Sequence, residues 1–271
     1  MTFISLKTRI SLFSIFLFTA LLAAPVSLFS WHCTLLDGPH KFSIGPEAYH
    51  LKRAPVEGTN QHGWLVGVRG VYERLVPNGI YWAAEGAWAK GPLTGKGANG
   101  ARVKSKFSDA ELEGRLGFNF QWSYGLCFAF TPFGGFGYAD TINDFLPPSE
   151  YEVCFKSQYS FAVGGFLLRV WNRGDWTVGF LFKARQMWKG TNRVTGIPGE
   201  SSTSIIMGPK THYIYELPFS WCTCIYQKPV EVTVTPFYRK RQFGGREGVS
   251  ADFPTTTHFI WGARLLLTKS F

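Results

Sequence analysis

The chain has 271 residues, of which 28 are Lys or Arg and 18 are Asp or Glu, so its formal net charge is +10. This length fits one domain, and the sequence contains no long-period repeat and no P-loop or dinucleotide-binding fingerprint. Composition therefore argues against a repeat protein and a nucleotide-binding enzyme, whereas an aromatic content of 17% suits a protein that meets membrane interfaces.

The N-terminus has the layout of a secretory signal peptide. Lys7 and Arg9 precede the uncharged apolar run Ile10–Leu22, and small residues and Pro25 follow it. The run is short for a helix that spans a bilayer, which favours a signal peptide over a single anchoring helix. We predict a signal peptide over residues 1–24, a leader over 25–41 and one domain over 42–271. An exported protein of this kind is not expected to bind nucleic acid, despite its basic charge.

The stretch Asp109–Trp122 indicates the structural class. Its alternate residues form an apolar face, Ala110, Leu112, Gly114, Leu116, Phe118, Phe120 and Trp122, and a polar face, Asp109, Glu111, Glu113, Arg115, Gly117, Asn119 and Gln121. Successive side chains of a strand point to opposite sides of a sheet, so this pattern predicts a strand between an apolar and a polar medium. The stretch is longer than the about 9–11 residues that a tilted membrane-spanning strand needs.

The same alternation recurs along the chain and predicts ten strands. In chain order they are Phe42–Arg53, Trp64–Arg74, Ile80–Lys90, Asp109–Trp122, Leu126–Tyr138, Gln158–Trp171, Trp176–Lys189, Thr211–Tyr226, Val230–Phe243 and Thr256–Phe271. Long connections follow the odd-numbered strands, among them a basic loop Gly91–Lys106 and a loop Asp140–Lys156, and tight turns follow the even-numbered ones. This order predicts an all-β, transmembrane, antiparallel up-and-down barrel with both termini at one end.

A soluble, lipocalin-like barrel would show the same alternation with its faces exchanged. Two features favour the membrane form. Trp176 and Trp188 lie near the two ends of one apolar face, at a separation close to the height between aromatic girdles. The regular exchange of long loops and tight turns is also typical of membrane barrels.

The chain from residue 42 onward resembles a bacterial outer-membrane β-barrel protein. Its last strand, with alternating apolar residues and a terminal Phe271, resembles the assembly signal of that class. The resemblance implies a location in the bacterial outer membrane, contact with outer-membrane lipid and recognition of Phe271 by the barrel-assembly machinery. It also implies that the tight turns face the periplasm and the long loops face the outside.

The polar faces predict a lumen lined by charges of both signs. We place eight acids and eight bases inward: Glu47, Glu73, Glu85, Asp109, Glu111, Glu113, Glu216 and Glu231, with Arg69, Arg115, Arg169, Lys183, Arg185, Arg239, Arg241 and Arg264. Lumen ion pairs are expected to involve Arg69, Glu85, Glu216 and Arg239, with Arg69 directly opposite Glu85. Charges in a narrow lumen must pair, which favours a plugged barrel over a small channel or porin.

Excess positive charge collects near the predicted outer loops. A basic outer rim is expected to comprise Lys96, Arg102, Lys104, Lys106, Arg193 and Arg246. A solvated rim would explain these residues without any ligand. A functional interpretation is an outer surface that contacts lipopolysaccharide phosphates, an acidic glycan or a host surface. We therefore predict a surface protein that acts in adhesion or envelope interaction, with a small channel as the alternative.

Enzymatic readings have less support in the residues. Omptin proteases are ten-stranded barrels with paired acids and a His–Asp pair at the mouth, and Asp109, Glu111 and His212 resemble part of that set. However, Lys210 stands where the Asp two residues before the His would be expected, and Glu111 replaces the second Asp of the pair. We assign no catalytic residue, no cofactor and no metal ligand.

The five cysteines are Cys33, Cys127, Cys154, Cys222 and Cys224. An odd number in an exported chain leaves at least one thiol unpaired within the chain. That thiol could form an intermolecular disulfide with a partner.

Overall fold

The alternating sequence forms twelve β-strands and no helix in the part of the chain that the structure describes. This computed structural model describes residues 38–55, 59–97, 99–124, 126–149, 152–171, 176–196, 202–225, 228–244 and 255–271. The predicted signal peptide, 1–24, and leader residues 25–37 lie outside the described residues. Within the described ranges, no helix has the length and apolar character needed to cross a membrane.

The strands are numbered in chain order. They are β1 (His40–Pro55), β2 (Asn60–Arg74), β3 (Gly79–Lys96), β4 (Arg102–Tyr124), β5 (Leu126–Leu146), β6 (Cys154–Trp171), β7 (Trp176–Thr195), β8 (Thr203–Met207), β9 (Thr211–Glu216), β10 (Phe219–Ile225), β11 (Lys228–Phe243) and β12 (Thr256–Ser270). The first strand thus begins at His40 rather than at the predicted Phe42, so the predicted leader ends earlier than residue 41.

Antiparallel pairing closes the sheet into a barrel with ten strand positions. Strands that follow one another along the wall are hydrogen-bonded neighbours, and β12 pairs with β1 from Lys41↔Ser270 to Pro55↔Thr256. The three short strands β8, β9 and β10 together fill one position beside β7, and β9 and β10 also pair with β11. The predicted antiparallel up-and-down barrel of about ten strands is confirmed.

One predicted strand, Thr211–Tyr226, is interrupted at Leu217 and Pro218. Proline has no backbone N–H to donate to the strand ladder, so regular pairing stops there. The wall nevertheless stays hydrogen-bonded, because the Gly179 N–H donates to the Pro218 carbonyl at 2.8 Å and the Leu217 N–H donates to the Pro236 carbonyl at 3.0 Å. β8 continues this wall through a segment that was predicted to be a loop.

The strands extend beyond their predicted ends on the side of the predicted long loops. We call this the long-loop end and the opposite side the tight-turn end. β4 has 23 residues and β5 has 21, about twice the length that a tilted strand needs to span a bilayer. The predicted loop Gly91–Lys106 shrinks to residues 97–101, and the predicted loop Asp140–Lys156 shrinks to residues 147–153. These two predicted loops are wrong, and strand walls stand in their place.

The exterior of the barrel carries large apolar side chains exposed over its middle. Leu116 is 63% exposed and Phe136 is 65% exposed. Tryptophans and further aliphatic residues share this face, including Trp64, Val66, Trp88, Leu112, Trp122, Trp176, Trp188, Trp221 and Trp261. So much exposed apolar surface is stable only in contact with lipid.

The interior is filled by side chains and is not uniformly polar. One apolar cluster on the inner wall contains Tyr49, Leu51, Leu65, Ala89, Leu93, Phe107, Phe237 and Ile260. A second cluster contains Tyr81, Ala83, Phe133, Ala139, Tyr159, Phe161, Val163, Leu181, Met187, Met207 and Phe243. The charged residues of the lumen lie between and against these clusters, so they are held in a largely dry environment.

Candidate functional site

A layer of ion pairs crosses the lumen. We call it the ion-pair layer, and it consists of the buried acids Glu47, Glu85, Asp109, Glu111, Glu113 and Glu216 with the buried bases Arg69, Arg115, Lys183, Arg185, Arg239, Arg241 and Arg264. Strand alternation points each of them inward, as predicted from the polar faces. Every acid of the layer contacts at least one base.

Arg69 on β2 is one centre of this layer. Its guanidinium donates to Glu47 at 2.8 Å and to Glu111 at 2.8 Å, and it also contacts Glu85. The predicted register was wrong, because Arg69 pairs across the strands with Ala87 and not with Glu85. The ion pair forms along the diagonal instead, which long side chains can reach.

The other two residues expected in lumen pairs, Glu216 and Arg239, do not contact one another as an ion pair. Glu216 contacts Arg264 on β12. Arg239 lies 3.4 Å from Glu111 and 3.7 Å from Glu47, and its guanidinium stacks 4.4 Å from the centre of the Phe237 ring. Each residue is therefore paired inside the lumen, but with a different partner.

Glu85 and Glu113 link the two sides of the barrel. Lys183 on β7 donates to Glu85 at 3.2 Å and to Glu113 at 2.9 Å. Arg185 lies 2.6 Å from Glu113 and stacks 4.6 Å from the centre of the Phe161 ring. Because these contacts cross the lumen from wall to wall, the layer fills the barrel at this height.

The residues that resemble part of an omptin site have other partners here. Asp109 accepts hydrogen bonds from Arg241 at 2.8 Å and from the Tyr49 hydroxyl at 3.2 Å. Glu111 is paired with arginines, and the buried His212 Nε2 donates to the Gln242 carbonyl at 2.9 Å. In the described part of the chain, His212 has no carboxylate within hydrogen-bonding distance. This geometry gives no basis for proposing proteolysis at these residues.

The predicted basic rim lies on strand walls and not in loops. Arg102, Lys104 and Lys106 point outward from β4, because Val103, Ser105 and Phe107 point into the barrel. Lys96 on β3 is exposed directly opposite Arg102. Arg193 is exposed on β7, where it donates to Ser202 at 3.1 Å, and Arg246 lies outside the described residues.

Two further exposed lysines belong to the same surface: Lys90, which the sequence already places beside the basic loop, and Lys52, which the sequence pattern does not single out. Lys52 on β1 and Lys90 on β3 point outward at the long-loop end, and Lys90 lies 5.3 Å from the centre of the Trp88 ring. We define the outer basic face as Lys52, Lys90, Lys96, Arg102, Lys104 and Lys106. The inverted alternation of β4, with apolar residues inward and bases outward, is the sequence signal that could have located this face.

Phe271, the predicted assembly signal, lies where the barrel closes. Its backbone N–H donates to the His40 carbonyl at 3.0 Å, and its ring stacks on the His40 ring with centroids 6.0 Å apart. Among the described residues, Cys127, Cys154, Cys222 and Cys224 form no disulfide, and Cys33 lies outside them. No group of three or more His, Cys, Asp or Glu side chains in the described ranges could hold a metal ion.

No protein-family model matches the chain, and no curated protein matches its sequence. Among solved structures, the outer membrane protease OmpT from Escherichia coli has a TM-score of 0.54 at 8% identity, covering 88% of this chain and 98% of that chain. The transport unit of the autotransporter AIDA-I from Escherichia coli has a TM-score of 0.41 at 9% identity, covering 94% and 97%. Ail of Yersinia pestis has a TM-score of 0.32 at 12% identity, covering 84% and 98%.

At 8% identity, the likeness to OmpT concerns the fold alone. The fold and its apolar exterior are those of a bacterial outer-membrane β-barrel protein, in agreement with the location predicted from the sequence.

Proposed function

We propose that this protein is an outer-membrane surface protein whose outer basic face binds phosphate groups of the outer-leaflet lipid. The observation that carries the proposal is the alignment of six exposed bases on β1, β3 and β4, just beyond the tryptophans of the apolar exterior. Aromatic girdles mark the level of the lipid head groups. Bases placed directly beyond that level can reach the phosphates of the same lipids.

The charge pattern of this face supports an anionic ligand. Lys96 and Arg102 are directly opposite on neighbouring strands. Like charges in directly opposite positions destabilise the pairing of two strands, and a bound anion between them would remove that repulsion. Lys104 is directly opposite Thr94, which offers no charge. The outward residues described at this end of β1 to β4 include no acid, and the first acid on the neighbouring wall is Asp144, opposite Lys106.

The filled ion-pair layer favours a surface role over conduction. A narrow barrel whose lumen is crossed by paired charges and aromatic side chains leaves little space for hydrated ions. A channel function therefore has less support from the geometry than binding at the exterior.

The experiment compares two double variants of equal charge change on strands that are three positions apart in the barrel wall. Lys104→Gln with Lys106→Gln removes two bases of the outer basic face. Lys189→Gln with Arg193→Gln removes two exposed bases of β7. Binding of labelled lipopolysaccharide to the purified barrel in detergent is measured at several salt concentrations, with dephosphorylated lipopolysaccharide as the second probe.

The β4 variant should bind lipopolysaccharide roughly tenfold or more weakly, since each base near an anionic surface contributes about 1 kcal/mol. The β7 variant should bind lipopolysaccharide as the parent does, and the parent should bind the dephosphorylated probe weakly. These two results would show that binding depends on the bases of this face and on the phosphates, and not on net charge alone. Equal losses in both variants, or binding independent of phosphate, would contradict the proposal. A loss seen with an acidic glycan but not with lipopolysaccharide would instead support the adhesion form of the prediction.

A further inference from the structure

A cavity of about 580 Å³ lies inside the barrel between the ion-pair layer and the tight-turn end. Glu85 and Arg115 of the layer line its inner end, and Val76 and Pro77 of the β2–β3 turn line its mouth. We call this cavity the vestibule. Its volume lies within the range of about 300–1,000 Å³ that is typical of small-molecule sites, and none of the lumen ion pairs closes it.

Several buried hydrogen-bond donors of residues that line the vestibule have no hydrogen-bond partner among the described residues. They are the hydroxyls of Tyr81 and Thr235, both fully buried, together with Nε and Nη2 of Arg169 and Nε of Arg264. Thr235 and Arg264 are directly opposite on β11 and β12, whereas Tyr81 and Arg169 are on β3 and β6. Buried donors of this kind are normally satisfied, so the vestibule presents unused donors from several walls.

Three of the four carboxylates that line the vestibule are already engaged. Glu216 is held by Arg264, and Glu231 accepts from Lys41 at 2.9 Å. Glu85 is shared by three bases of the ion-pair layer. The half-buried Glu73 is beside Lys41 in the register, but the Lys41 ammonium donates to Glu231. A guest in the vestibule is therefore offered donors, and a group with several acceptor oxygens would satisfy them.

Arg169 is the principal donor of this set. Arg169 forms no ion pair with any described acid. Glu231 and the Tyr81 hydroxyl are nevertheless close enough to interact with it electrostatically. Its neighbours in the register are the small residues Ala129 and Gly179. Arg169 lines the vestibule, and its Nε and Nη2 are buried without a partner among the described residues. An oxyanion that seats against this guanidinium would satisfy both nitrogens in the bidentate manner typical of arginine.

The rest of the vestibule wall is largely apolar. Leu75, Leu167, Leu181 and Leu266 line it, and Trp171 lies near its mouth. A simple inorganic anion would leave most of the volume and this apolar surface unfilled. We propose that the vestibule binds a small molecule that carries a carboxylate or phosphate on an apolar body, with the oxyanion on Arg169 and Tyr81. This site is separate from the outer basic face and faces the tight-turn end.

The test uses the mature full-length barrel in lipid nanodiscs and 2-naphthoate as the probe. Equilibrium dialysis, with empty nanodiscs subtracted, measures binding of 2-naphthoate, of the neutral 2-naphthylmethanol and of inorganic phosphate. Parent protein should bind 2-naphthoate saturably and the alcohol much more weakly. Arg169→Gln should weaken naphthoate binding by about tenfold, the typical loss of a charge-assisted hydrogen bond, and Tyr81→Phe by roughly threefold.

Arg193→Gln is the matched control, since it removes an exposed arginine at the far end of the barrel and should leave naphthoate binding unchanged. Arg169→Lys keeps the charge and should retain part of the binding. Heat-modifiable mobility on gels checks that each variant is folded. If Arg169→Gln does not fold, the loss of naphthoate binding in Tyr81→Phe tests the proposal instead. Equal binding of acid and alcohol, unchanged binding in Arg169→Gln, or inorganic phosphate competing as well as naphthoate would each overturn the proposal.

Discussion

The ion-pair layer and the vestibule are made from the same residue types on the same inner wall, yet one is closed and the other is open. Arg185 in the layer reaches two carboxylates and packs on the Phe161 ring. Arg169, also inward and also a strand residue, lies beside Ala129 and Gly179 in the register and forms no ion pair with an acid in the part of the chain that the structure describes. The carboxylates within reach, and not the charge of the arginine, separate a structural plug from a candidate binding site.

The difference also has an energetic side. A buried charge that loses its partner is strongly destabilising, whereas a charge that borders an open cavity can be hydrated. The layer should therefore respond sharply to the loss of one member, and the vestibule should tolerate it. The predictions that follow test this contrast, from the largest expected effect to the smallest.

The largest effect should come from Glu85→Ala. Glu85 is 3% exposed and contacts Arg69, Lys183 and Arg115 where the ion-pair layer meets the vestibule, so its removal leaves buried bases poorly compensated. We expect the free energy of unfolding to fall by about 3–5 kcal/mol, the usual result of breaking a buried pair from one side. Urea titration of the barrel in lipid vesicles measures this loss.

A compensating variant tests whether charge, and not packing, causes that loss. Lys183 contacts Glu85 and Glu113, and Glu113 keeps Arg185 at 2.6 Å when Lys183 is removed. Glu85→Ala with Lys183→Ala should therefore be more stable than Glu85→Ala alone. If both variants unfold like the parent, the lumen is hydrated at this height and the layer is not a plug.

A smaller loss is expected when a base is placed on the lipid face. Leu116 is 63% exposed on the exterior of β4, and Leu116→Arg should cost about 2–4 kcal/mol near the bilayer midplane. Gln121→Arg is the control, because Gln121 lines the vestibule on the same strand. Asn119 is a poorer control, since it is buried and donates to the Val76 carbonyl at 3.0 Å. Equal losses at positions 116 and 121, again by urea titration, would show that the two faces are wrongly assigned.

Much of the fold could be predicted from the sequence because a barrel wall separates two media. Leu116 and Arg115 alternate across that wall, and the period of two is unmistakable where one side is lipid. Beyond the bilayer, at the long-loop end, the outer face of the wall becomes polar and the inner face becomes apolar. Lys104 and Lys106 point outward to solvent while Phe107 points inward, so a search for outward apolar residues ended β3 too early and began β4 too late.

The pairing inside the lumen was much harder to predict than its composition. Every acid and base of the ion-pair layer was expected to point inward, because a charge facing lipid is costly. Which acid meets which base depends on register and on reach across the barrel. Glu216 and Arg264 are 48 residues apart in the chain. Alternation within one strand shows which way a side chain points, but not which residue of another strand it contacts. The vestibule depends in addition on which inward side chains meet across the barrel, and the sequence of one strand does not show that.

Breaking an exposed ion pair should change the free energy of unfolding much less than breaking a buried one. Lys156 lies 3.4 Å from Asp140 on the wall of β6, with 42% of its side chain exposed. Lys156→Ala should change the free energy of unfolding by only about 0–1 kcal/mol, because solvent and salt screen such pairs. Urea titrations at low and high salt measure the effect. A loss as large as that of Glu85→Ala would mean that burial does not distinguish the two pairs.

The smallest effect on stability should come from Arg169→Met, although it removes an inward arginine just as Arg185→Met does. Its Nε and Nη2 have no partner to lose, and methionine can pack against Leu167 and the other apolar residues of the vestibule wall. We expect the urea midpoint to stay unchanged or to rise, in contrast to the fall expected for Arg185→Met, whose guanidinium holds Glu111 and Glu113. Equal losses in the two methionine variants would show that Arg169 is a structural member of the plug, and would remove the physical basis for an open vestibule with a free donor.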